Sequence, residues 1–139
     1  MRVLGLDPGT ATTGYGVVES KGTRLRHLVH GAITTPAGQE FALRLKTIFE
    51  ETTRLIETYT PDAVSIEKVY FSRNVTTGIT VAQARGVIAL AAVLANKRIG
   101  EFSPLEVKEC RRGLRQGFQA TGAGHGQDTP QPRGPPQAG

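Results

Sequence analysis

The apolar positions of this chain change their period several times, and each change marks an element. Val3-Leu4-Gly5-Leu6 is a short apolar run that ends in Asp7, so residues 2–7 are predicted as a strand. Gly14 to Glu19 is a second run, after a Pro8-Gly9-Thr10 turn. Leu25 to Thr34 is a third, with a broken alternation of Leu25, His27, Val29, Ala32 and Ile33. Short links between consecutive strands predict an antiparallel meander. The period then becomes helical. Phe41, Leu45, Ile48, Phe49, Leu55, Ile56 and Tyr59 predict an amphipathic helix over 39–59, stopped by Pro61-Asp62. Residues 63–67 read as a strand, and 76–96 as a helix whose small residues (Ala82, Ala84, Gly86, Ala89, Ala91, Ala92) suit close packing on a sheet or a partner. Arg98 to Phe102 is a fifth strand, and Ser103-Pro104 supplies the N-cap and first position of a further helix. The order β-β-β-α-β-α-β-α predicts an α/β fold, a mixed five-stranded sheet with flanking helices.

Composition alters this picture at the C-terminus. The chain has 139 residues, the length of one ordinary domain. Residues 110–139 hold 7 of the 17 glycines, 4 of the 8 prolines and 5 glutamines, and almost nothing aliphatic follows Leu114. Such a segment buries too little apolar surface to offset chain entropy. Residues 1–109 therefore read as the folded domain and 110–139 as a disordered Gly/Pro/Gln-rich tail. Four tail arginines against Asp128 supply +3 of the net +5. The basic balance is thus largely a tail property and does not by itself argue for nucleic acid. The single Cys110 excludes an intrachain disulfide and a thiolate zinc cluster. No stretch reads as a signal peptide or a membrane span, so a soluble cytoplasmic protein with no membrane partner is expected.

Two predicted strands end in a carboxylate, Asp7 and Glu67. Ligands of open α/β sheets bind outside the carboxyl ends of strands. A carboxylate there is costly unless paired or holding a metal. Together the two acids make half of a divalent-metal site; singly, Asp7 also reads as a turn residue and Glu67 as the first solvated position. Gly9 and Gly14 suit a loop that approaches phosphate closely, a weak signal alone. Beyond Glu67, Lys68-Val69-Tyr70-Phe71-Ser72-Arg73-Asn74 interleaves aromatics with polar and basic groups, as on surfaces that stack bases and track a backbone. Tyr70 and Phe71 also suit the simpler role of covering the core. Lys108 reads as a phosphate contact or as plain surface, and Gln83 and Arg85 as packed interior or substrate groups. His27 and His30, three apart on a strand, are expected on opposite faces, which argues against a shared metal.

With these residues in view, the chain resembles the RuvC family of Holliday-junction resolvases. The matching stretches are Leu4-Gly-Leu-Asp-Pro-Gly, Gly14-Tyr-Gly-Val-Val, Ser65-Ile-Glu-Lys-Val-Tyr-Phe, Gln83-Ala-Arg-Gly-Val and Pro104-Leu-Glu-Val-Lys. The first is shared with other ribonuclease-H-like proteins; the next two are much less widespread. The resemblance implies a ribonuclease-H-like fold and a homodimer. It also implies a magnesium-dependent endonuclease with two Mg2+ ions, which nicks four-way junction DNA symmetrically beside a branch-migration motor. Asp7 and Glu67 match the first two of the family's four catalytic, metal-binding carboxylates. Tyr70, Phe71, Arg73, Asn74 and Lys108 fall where DNA contacts are expected.

The last two family acids lie in a C-terminal helix with an Asp-Ala-Ala-Asp-like pattern, and this chain has none. The resemblance by motif stops at about Glu109, after which Asp128 is the only acid. Back-translation of 110–139 with free third bases and a one-nucleotide shift permits AVVGFGKASKQQVQGMVKTLLNLAALPKP. That string has a Gly-x-Gly loop and an amphipathic helix, like the expected family continuation. The C-terminal part of the domain is therefore expected to be missing, and the tail to be a frameshifted translation. A genuine disordered basic tail is the alternative. Two other functional classes remain open: a junction-binding remnant without catalysis, and an ATP-binding domain of the kinase type using the Asp7–Gly16 loop.

Overall fold

A computed structural model of the chain describes residues 1–68 and 75–102. Seven elements follow in order: β1 (Arg2–Asp7), β2 (Thr12–Lys21), β3 (Arg24–Thr34), α1 (Phe41–Tyr59), β4 (Ala63–Glu67), α2 (Val75–Leu94) and β5 (Arg98–Phe102). They form one sheet of order β3-β2-β1-β4-β5. The β1–β2 and β2–β3 pairs are antiparallel, whereas β1–β4 and β4–β5 are parallel. The predicted mixed five-stranded sheet is thus present. Strands β2 and β3 run further than their apolar runs suggest, because the hairpin closes tightly at Gly22, which has φ +61°. The helix expected after Ser103 and the whole 110–139 tail lie outside the described residues.

Alternation decides what each face of the sheet does. Leu4 and Leu6 of β1, Val17 of β2, Ile33 of β3 and Val64 and Ile66 of β4 are buried on one face. There they meet Ile48, Leu55 and Ile56 of α1 and Ala84, Ile88 and Ala92 of α2 in a single core cluster. Burying such an aliphatic side chain stabilises the fold by about 1.5–3 kcal/mol. The residues between them, Val3, Gly5 and Asp7 on β1 and Ala63, Ser65 and Glu67 on β4, point to the opposite face.

A strap at the start of β1 fixes the parallel register. The Arg2 N–H donates to Asp62 Oδ2 (2.7 Å), the Asp62 N–H donates to the Arg2 carbonyl (2.8 Å), and Arg2 Nη1 donates to the Tyr59 carbonyl (2.6 Å). Donation from Arg2 holds the Asp62 carboxyl below its usual range. Helix α1 ends at Thr60 in the left-handed region (φ 44°), whose N–H caps the Ile56 carbonyl, and Pro61 prevents continuation. The chain therefore enters β4 at a fixed height, with Leu6 beside Ile66.

Helix α2 differs from its neighbour. Arg85 is its one charged residue, and by length and composition the helix is long and apolar enough to cross a membrane, which the sequence reading did not register. Its Ala84, Ile88, Ala91 and Ala92 are buried, and Arg85 forms an ion pair with Glu101 of β5. Val75, Ile79, Leu90, Val93 and Leu94 remain exposed.

Candidate metal centre

Asp7 and Glu67 each follow the last residues that pair β1 with β4, Leu6 and Ile66. Equal register and equal parity put both side chains at the same end and on the same face. They are close enough for the Glu67 carboxyl to hydrogen-bond Asp7. That hydrogen bond, with partial burial and the negative charge of Asp7, pushes Glu67 from the ordinary carboxylate value up to about 7. Two carboxylates this close do not both ionise easily without a cation.

The second hairpin strand makes room for this pair. Asp7 faces Gly14 across the β1–β2 ladder, and a Cβ at Gly14 would begin 3.8 Å from the Asp7 Cβ. Gly9 serves the turn between them. A Cβ there would come within 2.2 Å of the Thr12 carbonyl oxygen, so only glycine fits. The Thr13 hydroxyl donates to the Gly9 carbonyl (2.7 Å) and accepts the Gly9 N–H at 3.4 Å. Thr35 Oγ1 donates to the Thr10 carbonyl (2.6 Å) and accepts Arg44 Nε (2.9 Å), which ties the turn to α1. Sequence reading singled out Gly9 and Gly14 for a phosphate. It placed Gly9 in the turn but missed the second role seen here, clearing space for Asp7. The signal for the second was available: a glycine in a strand often marks a close approach.

A divalent cation is implied by the donor chemistry, and the residues fit one. Clustered carboxylate oxygens suit a hard ion such as Mg2+. Among the described residues no third His, Cys, Asp or Glu joins the pair. Tyr70, Phe71, Arg73, Asn74 and Lys108 lie outside the described residues. Gln83 belongs to α2, while Arg85 is engaged with Glu101.

One expectation is overturned. His27 and His30 share a face: His27 Nε2 and His30 Nδ1 are 2.9 Å apart. The cause is a β-bulge, since Val17 pairs with Val29 but Val18 pairs with His27. The extra residue, Leu28, lets Leu28 and Val29 both pack against the core while the imidazoles turn to the other side.

A family profile, described as crossover junction endodeoxyribonuclease RuvC, matches residues 3–120, further than the motifs quoted above reach. The chain belongs to the RuvC family. Curated relatives bearing that name include proteins of Brevibacillus brevis and Rubrobacter xylanophilus. The first is 52% identical over 113 residues, 81% of this chain and 68% of the relative. The second is 53% identical over 107 residues, 77% of this chain and 60% of the relative. The chain thus spans roughly two thirds of the length of the RuvC proteins it matches. Among solved structures, Thermus thermophilus RuvC in complex with a Holliday junction substrate superimposes with a TM-score of 0.74 at 29% identity, covering 78% of this chain and 67% of that one. A yeast mitochondrial Holliday junction resolvase shares the fold, with a TM-score of 0.62 at 10% identity.

Proposed function

We propose that this chain carries the junction-binding and part of the catalytic apparatus of a Mg2+-dependent endonuclease that resolves four-way DNA junctions by symmetric phosphodiester hydrolysis. The observation that carries this reading is the Asp7–Glu67 pair, two carboxylates on neighbouring parallel strands, in a RuvC family member. Bound there, divalent ions would supply an activated water and charge stabilisation for an in-line displacement. Asp7 and Glu67 would hold the metal, Glu67 giving up the proton it shares with Asp7 to serve as a ligand. Gly14 keeps the approach to Asp7 clear. Tyr70 or Phe71 would stack at the junction centre, and Arg73, Asn74 and Lys108 would meet the backbone, with salt-sensitive affinity.

A homodimer fits the same reading. The exposed Ile79, Leu90, Val93 and Leu94 on α2, with Gly86 between them and Gln83 the one polar side chain on the same face, give an apolar strip suited to a second copy. Two copies would place two acid pairs on the two strands to be nicked. A branch-migration motor as partner and a cytoplasmic location go with that role.

A second reading has its own observation. No third acid joins the pair among the described residues, and Asp128 is the only acid after Glu109. This favours a chain that binds junctions and cleaves them poorly. A synthetic four-way junction with Mg2+ tests both. Tight binding without nicking supports the second reading, symmetric nicking abolished by Asp7→Asn supports the first, and absence of junction binding defeats both.

A further inference from the structure

We propose that His27 and His30 form a second metal site, a two-imidazole chelate for a late first-row divalent ion of the Ni2+ or Cu2+ type, separate from the carboxylate pair. The bulge at Leu28 brings His27 Nε2 and His30 Nδ1 into a 2.9 Å hydrogen bond, which an ion would replace, with ring centroids 5.0 Å apart. With metal–nitrogen bonds of about 2.0–2.1 Å, nitrogens at that separation subtend about 90° at a shared ion. That is the cis angle of square-planar and octahedral ions, and it is narrower than a tetrahedral ion prefers. Tetragonal nitrogen sites select Cu2+ and Ni2+, while carboxylate sites select Mg2+ and Mn2+. The two sites therefore differ in ligand type and in the ion each takes.

Access and support both suit this role. Strand β3 is the edge of the sheet, and both imidazoles are exposed there, so water can fill the remaining coordination positions. Beneath them the backbone is fixed. Gly16 pairs with His30 and offers no side chain, so the imidazole has free space; a Cβ at Gly16 would meet His30 Cβ at 3.9 Å. Leu28 and Val29, packed against the core on the other face, hold the bulge in shape. The terminal ring torsions of histidine are broad, so both lone pairs can turn to one point once the ion replaces the hydrogen bond between the rings. An ion bound there would pin the bulge and stiffen the edge strand, and by binding only the folded chain it would raise thermal stability.

The test is a calorimetric titration of the full-length chain with Ni2+ in a non-chelating buffer containing excess Mg2+. It is run on a His125→Gln background, so that the third histidine does not contribute. One equivalent is expected. His27→Gln and His30→Gln should each weaken binding by about tenfold or more, since even outer-shell changes cost 10–100-fold in metal affinity. Asp7→Asn should bind Ni2+ as the parent does. A rise in Tm on adding Ni2+ should appear in the parent and vanish in both histidine variants. Failure of the parent to bind, equal affinity in the parent and both histidine variants, or loss of binding in Asp7→Asn would each overturn the proposal. Both histidines are exposed, so circular dichroism of the variants should match the parent.

Discussion

Gly14 stands directly across the ladder from Asp7, and any side chain built there would start 3.8 Å from the Asp7 Cβ. That distance is ordinary contact, so a methyl group fits and a longer chain does not pass without covering the carboxylate. Gly14→Ala should be neutral or stabilise the fold by about 0.5–1 kcal/mol, since glycine in a strand is entropically unfavourable. Gly14→Leu should leave the fold intact and weaken Mg2+ or Mn2+ binding. Urea denaturation and metal titration of the two variants check the contrast; equal metal affinity in both would show that Gly14 does not guard Asp7.

At Gly9 the constraint is stricter. The 2.2 Å approach of a Cβ to the Thr12 carbonyl oxygen can be relieved only by moving backbone. That carbonyl is rigid, and the turn is latched by Thr13. Gly9→Ala should destabilise by about 1–3 kcal/mol, the usual range for overpacking. Gly5→Ala, whose new Cβ would lie 3.8 Å from the Gly16 carbonyl oxygen, should cost little by comparison. Denaturant midpoints of the two variants measure the difference.

The prediction for pH follows from Glu67, raised from 4.5 to about 7, first by its hydrogen bond with Asp7, then by burial and by the charge of Asp7. A folded value above the unfolded one favours the protonated form. In metal-free chain this contribution to stability is complete below pH 4.5 and fades as pH rises through about 7. Metal binding runs the other way, because the ion must displace that proton. Mn2+ affinity should rise by up to about tenfold per pH unit below 7 and flatten above it. Glu67→Gln should bind more weakly and lose the pH step. Titrations from acid to mildly alkaline pH check this, and a profile that is flat through neutrality in the parent would show that the two carboxyls share no proton.

Much of this was legible because the sheet is a matter of period. Two apolar runs ending in Asp7 and Glu67 fix strand ends, and the parallel pairing of Leu6 with Ile66 then brings the acids together. The His27–His30 contact was not legible. Alternation places residues three apart on opposite faces, and only the mispairing of Val18 with His27 reverses that. A bulge depends on which neighbour strand is paired and in what register, and a single sequence does not display it. Apolar Leu28 beside Val29, two consecutive core-facing residues in an otherwise alternating strand, was the available hint. Arg85 was left between interior and substrate roles because its partner, Glu101, comes from a strand 16 residues away.

The last prediction concerns what this chain can do with the Asp7–Glu67 pair alone. A pair of divalent ions brings four positive charges, and Asp7 and Glu67 answer two of them. Without further acids, the second ion lacks protein ligands and the attacking water lacks a fixed orientation. Losing one such role removes several kcal/mol of transition-state stabilisation, about a hundredfold or more in rate at 1.36 kcal/mol per tenfold. Binding should suffer less, because phosphate contacts and base stacking do not depend on the ions. The measurement compares this chain with a version whose reading frame is corrected by one nucleotide at codon 110 and continued to the length of its RuvC relatives. Both are assayed on a synthetic four-way junction with Mg2+. The corrected version should nick symmetrically, and the present chain should bind the same junction with little cleavage. Equal symmetric nicking by the two would refute this, and would mean that acids already in this chain beyond β5, among Glu106, Glu109 and Asp128, complete the centre.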